Sequence, residues 1–442
     1  MGRTRGQPAP LYRRLPHGPS GMGREEVARN QRARIFGGMI ESVSRRGYGD
    51  TTVAHVIALA GVSRRAFYEQ FANKEDCFLA TYDIVVARAR KQAIDAWQRE
   101  RGWSNRLHAA CGALLEHLAA APKGPRLVIV DSLGIGPPAR ERMQLAGFAF
   151  ERLIKVIFQL APDGVELPPL APRAIVGGVR HIAFLRMLEG REAELGLLTE
   201  EVLDWIEAYR SPAAARLRGL SRAGASRRWG SPGPRSAGSL GVKDERARAL
   251  GSVVHLTLEE GYGGLTDPQI ARFAGISTEA FHRQFASKGA CYLAALDEFV
   301  AEALEWVCEA TADSVSWPEM VARAMAAFVD HLVTHKALLR IAFVDVFEVG
   351  PPMVARMTRS IEGLTELLLA EAPAPRRGAA VAPEAITGAV WAILSSYVAG
   401  ERLSRLPGLV DHLTFVVLAP YLGPSAAIEA IRSAPGPLPR GV

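Results

Sequence analysis

Arg64, Arg65 and Tyr68 stand within five residues of one another, directly after Ser63, in the stretch A-G-V-S-R-R-A-F-Y-E-Q-F-A-N-K from Ala60 to Lys74. A guanidinium group can pair bidentately with a guanine edge in the major groove, which is wide enough to admit a helix. Hydroxyls and ammonium groups can hold phosphates, which fix register while base contacts supply specificity. On a helical wheel Ala66, Phe67, Gln70 and Phe71 fall on one side, and Arg64, Arg65, Tyr68 and Glu69 on the other. The stretch is thus a short helix with an aromatic inner face and a cationic outer one. The blander alternative is a solvated surface helix carrying an Arg65–Glu69 pair at i, i+4.

The flanking residues favour the first reading. Gly61 can take positive φ in a tight turn, and Ser63 is a good N-cap. Ile35, Phe36, Met39, Ile40 and Val43 form a helical stripe that ends at Gly47. Val53, Val56, Ile57 and Ala60 form a second stripe after Thr51-Thr52, which offer another cap. Helix, helix, glycine turn and exposed helix is the helix-turn-helix plan. The run R-G-Y-G-D-T-T-V…I-A-L-A-G-V-S-R-R-A-F-Y-E-Q-F-A-N-K-E-D-C-F, within residues 25–90, resembles the DNA-binding domain of TetR-family transcriptional regulators. The resemblance implies that Lys74, Tyr68, Thr51 and Thr52 anchor the DNA backbone and that Arg64 and Arg65, following Ser63, face the bases.

The same element occurs twice. Residues 274–288 read A-G-I-S-T-E-A-F-H-R-Q-F-A-S-K, which is Ala60–Lys74 displaced by 214 positions. Gly47-Tyr48-Gly49 meets Gly261-Tyr262-Gly263, Cys77 meets Cys291, and Trp103 meets Trp317. His117-Leu118 meets His331-Leu332, and Arg126 and Asp131 meet Arg340 and Asp345. From Arg32 to Arg90 about two positions in five are identical in an ungapped register. Beyond residue 170 the register slips, so that Ile175 pairs with Ile386 and Leu203 with Leu413. The expected fold is all-α: two tandem repeats, each a three-helix helix-turn-helix domain followed by a helical effector and dimerisation domain. The expected segments are a disordered basic arm (1–23), head 1 (24–77), helical domain 1 (78–210), a disordered basic linker (211–242), head 2 (243–291), helical domain 2 (292–432) and a tail (433–442).

The second repeat keeps the frame and changes the outer face to Thr278, Glu279, His282 and Arg283. Leu265 replaces Thr51, while Thr266, Ser277 and Lys288 remain. By the same resemblance the second DNA-facing set is Thr266, Ser277, Thr278, His282, Arg283 and Lys288. Either this head reads a different half-site, or it has lost DNA binding and remains as a structural partner. In each helical domain, small residues (Gly177-Gly178 and Gly388-Ala389) would let the late helices approach closely. Aromatic stripes there are more often core than pocket, so no ligand residues are named. The family's domain of this kind usually binds a small effector, here an apolar one.

Charge and composition narrow the function classes. The chain has 442 residues and a formal charge of +7. Residues 1–23 and 211–243 hold four and seven basic residues with no acid, leaving the rest at −4. These Gly-, Pro- and Ser-rich segments suit a sequence-independent attraction to phosphate. No stretch reaches the ~18–20 uncharged apolar residues of a membrane helix, and no signal peptide is evident. Four scattered cysteines suit core positions, so no disulfide is expected and a cytoplasmic location follows. No phosphate loop, nucleophile elbow, HExxH or similar metal spacing stands out. The expectation is therefore no enzyme, no cofactor and no metal. The expected partner is double-stranded DNA at an asymmetric operator, read by an intramolecular pseudo-dimer that could associate further. Repression is the family's usual outcome. The competing class is an adaptor or ligand-binding scaffold in which the second head, or both, no longer reads DNA.

Overall fold

Apolar residues at three- and four-residue spacing, interrupted by glycine turns and capped by Ser, Thr, Asn and Asp, build this chain from helices. The computed structural model describes residues 24–212, 217, 244–376 and 380–434, and no strand occurs among them. The expected basic arm, and nearly all of the expected linker and tail, lie outside the described residues.

The first repeat contributes α1 (Arg24–Asp50), α2 (Val53–Ala60), α3 (Arg64–Tyr68), α4 (Lys74–Arg99), α5 (Trp103–Ala120), α6 (Lys123–Arg126), α7 (Pro137–Gln159), α8 (Ala171–Leu188) and α9 (Thr199–Glu207). The second contributes α10 (Glu245–Glu260), α11 (Asp267–Phe273), α12 (Thr278–Gln284), α13 (Lys288–Thr311), α14 (Trp317–Thr334) and α15 (Lys336–Arg340). It ends with α16 (Val346–Val349), α17 (Pro351–Leu369), α18 (Ala382–Ala399), α19 (Val410–Leu422) and α20 (Pro424–Ser433). The chain is all-α, as the sequence leads one to expect.

Contacts divide the chain into two units. One holds residues up to 150 with 183–200; the other holds 151–182 with 201–442. The boundary therefore does not fall at the Gly-, Pro- and Ser-rich segment between the repeats. The second unit contains the second repeat together with the last helical segments of the first.

In the first unit the head closes around Ile35, Met39, Val56, Phe67, Phe71 and Phe78, all essentially buried. Burying each large side chain contributes about 1.5–3 kcal/mol. Cys77 is fully buried, and burial pushes its thiol up to about 12. Cys291 at the equivalent place in the second unit behaves the same way. Both are core residues.

Each unit carries one feature with no signal in the sequence. After α6 and α15 the helix widens into a π-turn, at Leu127–Asp131 and Ile341–Asp345. These segments are equivalent at the displacement of 214. Each turn ends on an aspartate facing the arginine just before it, at 3.8 Å for Arg126–Asp131 and 3.7 Å for Arg340–Asp345. Burial pushes the Asp131 carboxyl up to about 6, against the pull of Arg126.

In the second unit α8 and α18 cross where neither helix has a side chain. A Cβ on Gly177 would stand 2.3 Å from Ala392 Cβ and 2.6 Å from the Gly388 oxygen. A Cβ on Gly388 would stand 2.3 Å from His181 Cβ and 2.6 Å from the Gly177 oxygen. In the register that pairs Ile175 with Ile386, Gly177 is the counterpart of Gly388 and His181 of Ala392. The contact is thus reciprocal. Beside it, Tyr209 donates its hydroxyl to the Val416 carbonyl at 3.0 Å, and its ring lies 6.2 Å from that of Phe415.

His412 on α19 is buried, with its Nδ1 lacking a hydrogen-bond partner. Burial lowers its pKa to about 4. Below the ordinary value near 6.5 the unfolded chain takes up a proton that the folded chain refuses. Stability is therefore expected to fall as pH drops from 6.5 to 4, by on the order of 3 kcal/mol from this residue. Urea melts across that range check it: the slope should be shallower in His412→Leu, and an unchanged slope refutes the assignment.

Candidate nucleic-acid interface

The outward-facing helix of head 1, α3, starts where Gly61, at φ 60 and ψ 42, turns the chain out of α2. Ser63 then caps α3, its hydroxyl accepting from the Ala66 N–H at 3.1 Å. Phe67, on the inner side, is fully buried and packs on Phe71 with ring centroids 5.6 Å apart. That packing leaves Arg64, Arg65, Tyr68 and Glu69 facing outward. The Arg65 side chain is 89% exposed and pairs with Glu69 at 2.8 Å. Tyr68 is 51% exposed, unusual for so large an apolar ring. The Arg65–Glu69 pair of the blander alternative is thus formed, on a cationic face that is open to solvent. An exposed i, i+4 pair contributes little to stability, so Arg65 can leave Glu69 for a stronger acceptor.

The anchoring residues divide. Thr52 caps α2, its Oγ1 accepting from the His55 N–H while His55 Nδ1 accepts from the Thr52 N–H, both at 3.3 Å. It is exposed and remains available. Thr51 is corrected: it is only 1% exposed, and its hydroxyl donates to the Gly47 carbonyl at 2.7 Å beside Ser42 Oγ. It holds the end of α1, and Leu265 fills the equivalent place in head 2, also buried. Lys74 opens α4 under the Asn73 cap. Its ammonium donates to the Tyr48 carbonyl at 3.0 Å and lies 4.2 Å from the Tyr48 ring centroid. The lysine thus ties α4 to the end of α1 as well as presenting a charge. Arg32, which the sequence pattern did not single out, stacks on Phe71 at 4.7 Å and covers the inner face.

Head 2 repeats this frame. Ser277 accepts from the Ala280 N–H at 3.0 Å, and Phe281 and Phe285 pack at 5.5 Å beneath Arg246. Lys288 donates to the carbonyls of Tyr262 at 3.1 Å and Leu265 at 2.7 Å. Thr278, Glu279, His282 and Arg283 are exposed. His282 Nε2 stands 3.6 Å from Asp267, and Thr266 is bound into a cap with Gln269. Two carboxylates, Glu279 and Asp267, therefore sit among the groups that would meet phosphates.

A small apolar cavity of about 30 Å³ lies within the second unit, bordered by Phe299, Phe328, Leu332, Phe343, Met357 and Trp391. It has room for about two water molecules.

Residues 40–81 match the family described as bacterial regulatory proteins, tetR family. Among solved structures the chain is similar to the fatty acid degradation regulator FadR of Bacillus halodurans, at 15% identity over 39% of this chain and 94% of that one, with a TM-score of 0.35. It is also similar to the transcriptional regulator FadR of Bacillus subtilis in complex with stearoyl-CoA, at 15% identity over 39% and 96%, with a TM-score of 0.36. No curated protein matches the chain. No helix among the described residues is long and apolar enough to cross a membrane. The family match falls on the end of α1, on α2, α3 and the start of α4, the helices that hold Arg64, Arg65 and Tyr68 outward, so this part of the chain is similar to the DNA-binding domain of tetR-family regulators.

Proposed function

We propose that the chain is a DNA-binding transcriptional regulator of the TetR type that works as a pseudo-dimer within one chain, with two unlike heads on an asymmetric operator. The observation that carries the reading is the reciprocal crossing of Gly177 and Gly388. In a twofold interface residue i meets j and j meets i; here Gly177 meets Ala392 and Gly388 meets His181, with His181 and Ala392 as counterparts. Arg64 and Arg65 would read bases in one half-site, and Thr278, His282 and Arg283 those of the other. Thr52, Ser63, Tyr68, Lys74, Thr266, Ser277 and Lys288 would hold the backbone. Loss of binding on taking up a small apolar effector would follow if the effector enters the cavity beside Phe343 and Trp391. With so little free space, it must spread α13, α14 and α17 to do so. Repression is the family's usual outcome.

The test is selection of genomic fragments by the purified chain at moderate salt. An asymmetric motif with two unlike halves about one helical turn apart supports the reading. A palindrome overturns it, leaving first heads from two chains to do the reading. The absence of any enriched motif favours an adaptor. On a selected site, Arg65→Ala is expected to weaken binding about 10- to 100-fold and to relax preference at one base. Its melting temperature should match the parent's closely, because the exposed Arg65–Glu69 pair contributes little to the fold. Fluorescence anisotropy on single-base variants measures the first effect. A uniform loss across all of them would make Arg65 a phosphate contact instead.

A further inference from the structure

In the helical part of the second repeat, α13 and the end of α14 bring Glu302, His331 and His335 together. A ligand atom of each lies within 4.8 Å of those of the other two. His331 and His335 are one turn apart, so their rings share a face, with centroids 4.5 Å apart. His331 is fully buried, and its Nε2 lies 3.1 Å from the Phe299 carbonyl. A carbonyl only accepts, so Nε2 carries the proton and Nδ1 keeps its lone pair. That Nδ1 is buried and has no hydrogen-bond partner. A metal-ligating histidine is held in this way, its far N–H donated to a carbonyl that fixes tautomer and ring orientation. His335 Nε2 is buried as well, 3.3 Å from Glu302 Oε1 in an alignment too poor for a hydrogen bond. Phe299 and Trp306 wall the pair, with centroids 4.7 and 5.3 Å from His331.

We propose that Glu302, His331 and His335 form a binding site for one divalent transition-metal cation of the zinc class. Two imidazoles and a carboxylate suit zinc and its neighbours, whereas calcium and magnesium take all-oxygen sites. Three protein ligands leave a fourth position for water or another small ligand. Bonds of about 2.0–2.1 Å place tetrahedral ligand atoms about 3.3 Å apart, so loading draws α13 toward the end of α14. The first repeat provides an internal contrast. At the displacement of 214, its counterparts are Arg88, His117 and Ala121. It keeps the first histidine, there only partly buried, loses the second, and puts a guanidinium where the carboxylate stands. The chain therefore takes one equivalent and not two. The corresponding sequence signal, His331 and His335 at i, i+4, is present. It does not match HExxH because Leu332 stands where that motif has its glutamate. The proposal departs from the expectation of no metal.

This site stands independently of how the heads read DNA. The test uses the full chain, stripped with a chelator and dialysed. It is titrated with Zn²⁺ by calorimetry and with Co²⁺ followed by visible absorption. One equivalent per chain is expected, with the intense bands of four-coordinate Co²⁺. Glu302→Gln and His335→Ala, both at partly exposed positions, should each weaken binding by at least about tenfold. Their far-ultraviolet circular dichroism should match the parent's, and if one fails to fold the other decides. Parent affinity no greater than that of a folded variant overturns the proposal, as does parent protein that binds neither metal.

Discussion

In urea, Gly388→Leu is expected to lose about 3 kcal/mol or more of unfolding free energy, against little change for Gly363→Leu. Overpacking a tight contact costs typically 1–3 kcal/mol and at times more. Here the obstacle is severe, because a Cβ alone would stand 2.6 Å from the Gly177 carbonyl oxygen and 2.3 Å from His181 Cβ. A backbone oxygen cannot rotate away as a flexible side chain can, so α8 and α18 must separate. Separation unpacks Trp205 and the Tyr209–Val416 hydrogen bond beside the crossing. At Gly363, in α17, an added Cβ meets nothing within 4 Å. Tryptophan fluorescence follows the transition, since Trp205 packs against Gly178 at the same crossing. Equal midpoints for the two variants would mean that the crossing does not hold the unit together. Size-exclusion chromatography adds a second readout, because a parted α8 and α18 expose apolar faces that invite association between chains.

The second large effect concerns the heads. Phe67→Ala is expected to cost about 3–5 kcal/mol in head 1, enough to unfold a small three-helix domain, and to reduce DNA affinity about a hundredfold or more. Phe67 is fully buried and meets both Phe71 and Tyr68. Its loss empties the centre that turns Arg64 and Arg65 outward. Phe281 is the same residue in head 2, also fully buried. Phe281→Ala therefore separates the two functional readings. If both heads read the operator, its DNA affinity falls on a comparable scale. If the second head is only a structural partner, anisotropy will show affinity within a few-fold of the parent while thermal melts still register the damage. Phe67→Ala protein that keeps its affinity would remove head 1 from the interface altogether.

Much of this could be read from residue order, and the exceptions have physical reasons. Caps and turns are local, so Gly61 and Ser63 announce helix ends that the structure places where expected. The inner and outer faces of α3 follow from a single period. Thr51 escaped because its neighbour Thr52 offers the same hydroxyl, and only tertiary packing decides which of the two turns inward. The π-turns escaped because one extra residue in a helical turn leaves no compositional trace. The glycines at 177 and 388 were legible as small residues, but that each would meet the other's helix reciprocally was not. Contact between residues two hundred positions apart is not contained in any local period. The histidine pair at 331 and 335 was visible, and its carboxylate partner one helix earlier was not.

The crossing of α8 on α18 also bears on dosage. Two separate chains that must meet before acting lose half-sites together as they are diluted, so occupancy of a target falls with the square of chain number. A crossing whose two glycines belong to one polypeptide persists at any dilution. If both heads act from that frame, occupancy falls only with the first power, and a cell holding a handful of copies still has every copy competent. Each side of the crossing is also encoded once, so a change at Gly177 leaves Gly388 untouched, and the two halves are free to drift toward different tasks.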